Sequence, residues 1–254
     1  RYGACDHIVE HIPDVSYWGM EYSFIPLSLR HKGDTVRIVA AYDNTVVRIN
    51  EKIITTLDKG EFLDDIIEEP SQISANHPIL VAQFSNGETY DRNERGGDRV
   101  GDPFMMLLTA QRSFVKEYTF TTTQRNIQYN FANIAINQNG ADSLLLNGVA
   151  IDTSSFTLIP NTSMLAGSIE LNEGAHVISA DIPFGLYIYG FGDWESYGYQ
   201  GGLKLPRLGN TESLSIQWSN ENPILGEELC FSVSSEAGTR LAVDSRVDFF
   251  VEGA

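Results

Sequence analysis

Apolar positions along this chain come in short runs, each closed by Asn, Asp, Gly or Pro. Val36-Arg37-Ile38-Val39-Ala40 and Thr45-Val46-Val47-Arg48-Ile49 are rich in branched residues and flank Asp43-Asn44, a pattern that predicts a hairpin. Residues 79–85 read as a strand that starts behind Pro78 and stops at Asn86-Gly87. Tyr118-Thr119-Phe120-Thr121-Thr122-Thr123 is another, with residues 127–135 as its expected partner. Ser143-Leu144-Leu145-Leu146 ends at Asn147-Gly148, the dipeptide of a type I′ turn. Residues 168–171, 175–180 and 186–191 continue the series. No stretch of about 12 residues carries a clean 3.6-residue period with caps. The one helical expectation is a short turn at residues 104–108. Short strands about 8–12 residues apart, punctuated by Gly and Asn, predict all-β sandwiches.

The pattern also repeats. In the first half, residues 36–50 lead through Leu57-Asp58-Lys59-Gly60-Glu61-Phe62 to Ser74-Ala75-Asn76-His77-Pro78 and the strand behind it. In the second, residues 134–136 and 143–146 lead through Ile169-Glu170-Leu171-Asn172-Glu173-Gly174 to Ser179-Ala180-Asp181-Ile182-Pro183 and its strand. Each unit exposes an apolar face unless it packs on its twin, so two stacked antiparallel β-sandwich units are expected. The boundaries read as an N-terminal arm with the first strands (1–35), a first unit (36–133), a second unit (134–204) and a linker (205–212). A partial Ig-like or macroglobulin-like β module follows at 213–254. Its strands, residues 213–218, 228–233, 240–243 and 247–251, are few for an independent core, so completion by another segment is expected.

Charge narrows the partners. The 254 residues carry 17 Lys+Arg against 34 Asp+Glu, a formal net charge of −17. That excess disfavours nucleic acid and anionic membranes, which basic patches hold. At 42% hydrophobic and 20% charged the chain reads as globular. No apolar run reaches the roughly 18–20 residues a membrane span needs. The chain starts at Arg1 with no basic-then-apolar leader, which reads as a processed or excised piece.

Cys5 and Cys230 form neither a zinc knuckle nor a CxxC pair. The leading reading is a disulfide between them. Half-bridges to flanking sequence and buried free thiols are the alternatives. Asn161-Thr162-Ser163 is a sequon behind Pro160 and makes Asn161 a glycosylation candidate.

Catalytic chemistry is hard to find. His7 and His11 have the i, i+4 spacing of a zinc pair on a helix, but no third ligand lies nearby, and a solvated arm is the preferred reading. His77 and His176 read as structural. No Gly-x-Ser-x-Gly elbow is present. The long polar segment 88–102 offers Asp91, Asn93, Glu94, Asp98 and Asp102 as hard oxygen ligands. Calcium on Asp91, Glu94, Asp98 and Asp102 is one reading. A surface loop salt-bridged through Arg92, Arg95 and Arg99 is preferred, with Asp102 in a turn before Pro103. Asp64-Asp65 and Glu68-Glu69 form a second acidic cluster, read as a solvated face. Trp194, Tyr197 and Tyr199, in a glycine-rich stretch, and Phe249 and Phe250 in the tail are candidates for partner or sugar contact. The preferred reading is that Tyr187 and Tyr189 fill the interface between the units while Trp194, Tyr197 and Tyr199 pack the exit loop.

Several landmarks together resemble the N-terminal domain of the IgGFc-binding protein family. They include Trp18-Gly19-x-x-Tyr22, Asp34-x-Val36-Arg37-Ile38-Val39-Ala40 and Asp43-Asn44-Thr45-x-Val47. They continue with His77-Pro78-Ile79-Leu80-Val81-Ala82-Gln83-Phe84, Gly101-Asp102-Pro103, Gly174-x-His176, Tyr187-x-Tyr189-Gly190 and Ser196-Tyr197-Gly198-Tyr199. The match spans roughly residues 13–202. It implies a non-enzymatic extracellular domain of large secreted proteins of mucus, matrix or adhesive layers. The expected function is a structural or adhesion module of a multidomain or filament-forming protein. It would bind other extracellular proteins or copies of itself through surfaces and edge strands, with no required cofactor. The alternative is a calcium-assisted, lectin-like domain that binds glycans or proteins.

Overall fold

The computed structural model describes residues 8–87, Tyr90, residues 101–204 and the backbone of residues 215–218 and 231–234. The chain divides into two units, Arg1–Leu205 and Pro206–Ala254. In the first unit, one sheet holds β1 (Gly19–Phe24), β2 (Asp34–Ala40), β3 (Thr45–Ile49), β4 (Lys52–Leu57), β5 (Phe62–Ile67), β6 (Ser71–Ser85) and β7 (Phe104–Leu107). A second holds β8 (Val115–Thr122), β9 (Tyr129–Asn137), β10 (Leu145–Leu146), β11 (Val149–Ala150), β12 (Thr157–Leu158), β13 (Met164–Leu171), β14 (Gly174–Gly192) and β15 (Glu195–Gln200). All pairings are antiparallel.

β6 and β14 organise the two sheets. The first half of β6 lies between β1 and β3, with β4 beyond β3. Its second half lies between β2 and β7, with β5 beyond β2. β14 does the same, first between β8 and β10 and then between β9 and β15, with β13 beyond β9. Pro78 and Pro183 sit where each strand exchanges one pair of neighbours for the other, so a missing N–H interrupts neither ladder.

The repeat extends to single hydrogen bonds. The Tyr22 hydroxyl accepts from the Gly19 amide (2.9 Å) and donates to the Ile79 carbonyl (2.6 Å). The Tyr118 hydroxyl accepts from the Val115 amide (3.3 Å) and donates to the Phe184 carbonyl (2.5 Å). Ile79 and Phe184 each directly follow the strand's proline. Asn50 and Asn147 open equivalent turns in the left-handed region, with φ of 49° and 51°. Asn50 Oδ1 accepts from the Gln72 amide (2.9 Å), and Asn147 Oδ1 from the Val177 amide (2.8 Å).

The two repeats share a core. Phe131, Tyr187, Tyr189 and Phe191 of the second pack with Tyr22, Phe24, Val36, Ile38, Phe104 and Met106 of the first. Gly185 and Gly198 make the approach possible: a Cβ on Gly185 would lie 2.5 Å from the Phe114 ring, and one on Gly198 would collide with Phe104. The expected role of Tyr187 and Tyr189 is therefore what is seen. A separate inner core of the second repeat is built by Ile134, Ile136, Phe156, Ile178, Leu186 and their neighbours.

Several local expectations change. β2 and β3 are not a hairpin; the turn at Asp43-Asn44 carries the chain from one half of β6 to the other. β8 and β9 likewise pair with β14 rather than with each other. Residues 115–133, expected in the first unit, hold strands of the second sheet. The expected helical turn at Phe104 is β7, because Phe104, Met106 and Leu107 are buried against the end of β6. Of residues 143–146 only Leu145–Leu146 is strand, behind a 3₁₀ turn at Gln138–Ser143. In the repeat, residues 169–174 correspond to 65–71 rather than to 57–62, since Leu171 faces Asn130 as Ile67 faces Asp34.

The second unit is described by the antiparallel pair β16 (Ser215–Trp218) and β17 (Phe231–Ser234). The strands expected at residues 240–243 and 247–251 lie outside the described residues.

Candidate functional site

Polar residues inside apolar strands build the junction between the repeats. Asp34, Gln83 and Asn133 are fully or almost fully buried. Asp34 Oδ2 accepts from the Leu27 amide (2.7 Å) and from Gln83 Nε2 (2.8 Å). Gln83 Nε2 also donates to the Ile25 carbonyl (3.0 Å), and Asn133 Nδ2 reaches the carbonyls of Ile25 (3.1 Å) and Pro26 (3.0 Å). The Tyr189 hydroxyl donates to Asn133 Oδ1 (2.9 Å) and accepts from the Ser28 amide (2.8 Å). Burial pushes the Tyr189 hydroxyl pKa up. The bonds to Ile25, Pro26, Leu27 and Ser28 fix backbone outside the strands, and the two side-chain bonds link the groups that make them, so together they hold segment 25–28 in place.

His176 is equally structural. Its Nε2 lies 2.9 Å from the Asn172 carbonyl and 3.1 Å from Thr122 Oγ1, and its Nδ1 3.4 Å from Asn147 Nδ2. The Asn172 carbonyl only accepts, which assigns the proton to Nε2. His77 sits at the bend of β6 with its ring centroid 6.1 Å from that of Tyr42. Residues 8–14 form no helix, the condition a His7–His11 zinc pair needs; His7 lies outside the described residues.

The aromatic candidates separate into two kinds. Tyr197 donates to Asn130 Oδ1 (2.5 Å), Tyr199 donates to the Thr121 carbonyl (2.7 Å), and their rings stack. Burial raises both hydroxyl pKa values. Both rings pack against the inner core of the second repeat. Trp194 is 42% exposed at the tip of the β14–β15 turn, with φ +60°. A bulky residue in that conformation is strained. Around it Gln124, Asn126, Gln128, Asp193 and Glu195 line an open depression of about 410 Å³.

Of the calcium candidates, Asp91, Glu94 and Asp98 lie outside the described residues, as do Phe249, Phe250, Cys5 and Cys230. Nothing described supports a bridge between the cysteines. The Asp102 carbonyl accepts from Ser196 Oγ (2.6 Å). Among the described residues, no three or more His, Cys, Asp or Glu side chains come together as a metal site. Asn161 is exposed in a turn. No helix among the described residues is long and apolar enough to cross a membrane.

One surface was missed by sequence reading. On β5, Phe62, Asp64 and Ile66 alternate outward, and Phe62 and Ile66 are 54% and 48% exposed. Arg37 on β2 grips Asp64 with two 2.7 Å bonds and lies 4.5 Å above the Phe62 ring. That pairing pulls the Asp64 pKa down. Half-buried Val39, Phe84 and Met105 continue the apolar face toward Trp18. Phe62-Leu63-Asp64-Asp65-Ile66-Ile67 pairs its apolar and acidic residues instead of alternating them, so the period-two signal of a half-buried strand is absent and the acidic residues read as a solvated face.

Two solved structures are similar in part: a lectin from Pleurotus ostreatus in its apo form, and the lectin from Pleurotus ostreatus in complex with GalNAc. The first is 10% identical, with a TM-score of 0.24, over 72% of this chain and 74% of that one. The second is 10% identical, with a TM-score of 0.22, over 73% and 75%. No curated protein matches the chain. A family model described as IgGFc binding protein matches residues 1–190, which contain the seven-stranded sheet and all of the eight-stranded sheet but β15 and the last two residues of β14. The chain belongs to the IgGFc-binding protein family.

Proposed function

We propose that this chain is a non-enzymatic extracellular module for structure or adhesion, part of a larger secreted or filament-forming protein. It binds other extracellular proteins, or copies of itself, through surfaces and edge strands. The observation that carries this reading is the exposed apolar face around Phe62 and Ile66 beside the outermost strand of the first sheet. Apolar side chains exposed together at a sheet edge are features of protein contact. The buried hydroxyls, amides and imidazole described above serve backbone groups. The family points the same way, toward an extracellular protein-binding domain.

The test is binding of the purified chain to immobilised immunoglobulin Fc and to a panel of extracellular matrix proteins, in calcium and in EDTA. Saturable binding to at least one protein supports the module. Absence of binding to every protein, with self-association also absent by sedimentation, counts against it.

A second reading, glycan binding assisted by calcium, is favoured by the Trp194 depression. An exposed aromatic ring ringed by amides and carboxylates is suited to stacking and hydrogen-bonding a sugar. Binding on a glycan array that is lost in Trp194→Ala selects this reading. Loss in EDTA brings in Asp91, Glu94, Asp98 and Asp102 as its calcium ligands.

A further inference from the structure

The two repeats finish one equivalent edge differently. In the second, residues 151–163 connect β11 to β13, and this connection folds back along the outer side of β13. Its strand β12 pairs Thr157 with Ala166 and Leu158 with Leu165. On either side of β12, Phe156 enters the inner core and Ile159 packs on the outer face with Ala135 and Ala166. In the first repeat the equivalent connection is only residues 58–61. β5, the counterpart of β13, is the last strand of its sheet. The Ile66 amide bonds to Asp65 Oδ1 (2.8 Å) of the neighbouring residue rather than to a strand.

We infer that the outer edge of β5 is a docking site for an extended strand of a partner protein, one that alternates apolar and basic side chains. The inference deepens the proposed function and rests on it. The second repeat supplies the geometry: an added strand completes this edge and carries apolar side chains with it. The exposed Phe62 and Ile66 provide the apolar contact. Charge selects the occupant. Glu61, Asp64, Asp65, Glu68 and Glu69 line the strand and its exit, and only Asp64 has a described ion pair. A second copy of this chain would set that row against itself, within a molecule of net charge −17. A strand with Lys or Arg at alternate positions meets it with the opposite sign. Strand addition of this kind takes affinity from backbone bonds and selectivity from alternate side chains.

The experiment uses the full chain and three synthetic peptides of about nine residues. One alternates valine and lysine, one valine and glutamate, and the third interrupts the first with a central proline. Fluorescence anisotropy reads binding and hydrogen exchange locates it. The valine–lysine peptide is expected to bind at least about tenfold more tightly than the other two, and to weaken as salt is raised. It should slow exchange at the amides of Phe62, Asp64 and Ile66. The double variant Phe62→Lys with Ile66→Lys should lose the peptide while keeping its circular dichroism spectrum, whereas Ile53→Lys on the opposite edge strand β4 should bind normally. Equal binding of all three peptides, or protection mapped elsewhere, overturns the proposal. A dimer that the double variant abolishes also overturns it, in favour of a second copy. Protein binding that survives in the double variant removes only the β5 assignment. Loss of all protein binding by the unaltered chain removes the broader reading.

Discussion

The outward faces of β2–β6 and β9–β14 occupy the same place in the two repeats and do opposite work. In the second repeat the face carries Gly185, Gly198 and Ala135, admits Phe114 and Phe104, and is sealed inside the molecule. In the first, Leu80, at the place of Gly185 two residues past the proline, is covered by Trp18, while Phe62 and Ile66 remain exposed. One topology therefore makes an internal joint or an external surface. The choice lies in a few side-chain volumes and in the length of one connection.

Exchanging residues across this equivalence gives the largest expected effect. Gly185→Leu puts the first repeat's residue into the joint, where even a Cβ lies 2.5 Å from Phe114. A loss of about 3 kcal/mol or more is expected, read as a lowered urea midpoint. The reverse exchange, Leu80→Gly, removes a buried side chain and should cost about 2–5 kcal/mol. A tolerated Gly185→Leu would show that the joint is looser than described.

The paired tyrosines sharpen the comparison next. Tyr22→Phe and Tyr118→Phe should each cost about 1–3 kcal/mol, because a buried carbonyl and a backbone amide lose their partner. Burial raises both hydroxyl pKa values to about 12. A raised folded-state value means the folded chain holds its proton longer than the unfolded one. This stability is complete below about pH 10, the unfolded value, and is lost as pH rises toward 12. Urea titrations from pH 8 to pH 12 should show that fall, with a shallower slope in either variant.

Smaller effects follow. Asn50→Ala and Asn147→Ala should cost similar amounts, about 1–2 kcal/mol each, since both lose a side-chain bond at positive φ. Unequal costs would break the equivalence of the two turns. Arg37→Ala should change stability by less than about 0.5 kcal/mol, because its ion pair with Asp64 is well exposed.

Strand identity was legible because alternation and branched residues are local signals: residues 45–49 and 118–122 fall in strands as expected. Partner choice was not legible, because β6 and β14 each change neighbours at a proline, and only distant residues determine which strands they meet. The repeat could be read from Ser-Ala-x-x-Pro, since that motif marks the change itself. Gln83 and Asn133 left a readable trace as polar positions inside apolar runs, whereas Asp34, behind Lys32-Gly33, did not. The carbonyls they serve belong to segment 25–28, which carries no signal of its own. The surface on β5 escaped because Phe62-Leu63-Asp64-Asp65-Ile66-Ile67 does not alternate apolar and polar residues, so the outward face mixes Phe62 and Ile66 with Asp64.

The shared strands also set a timetable for synthesis. β1 emerges first, yet among the described residues its only sheet partner is β6, and β2 and β3 remain in separate pairs until β6 joins them. β8 and β9 wait in the same way for β14. A nascent chain therefore joins β1, β2 and β3 only after residue 85 has left the ribosome, with β7 still to follow, and joins β8 and β9 only after residue 192, with β15 still to follow. Between those moments β1 is paired while β8 still waits for β14, an interval in which unpaired strand edges stand open.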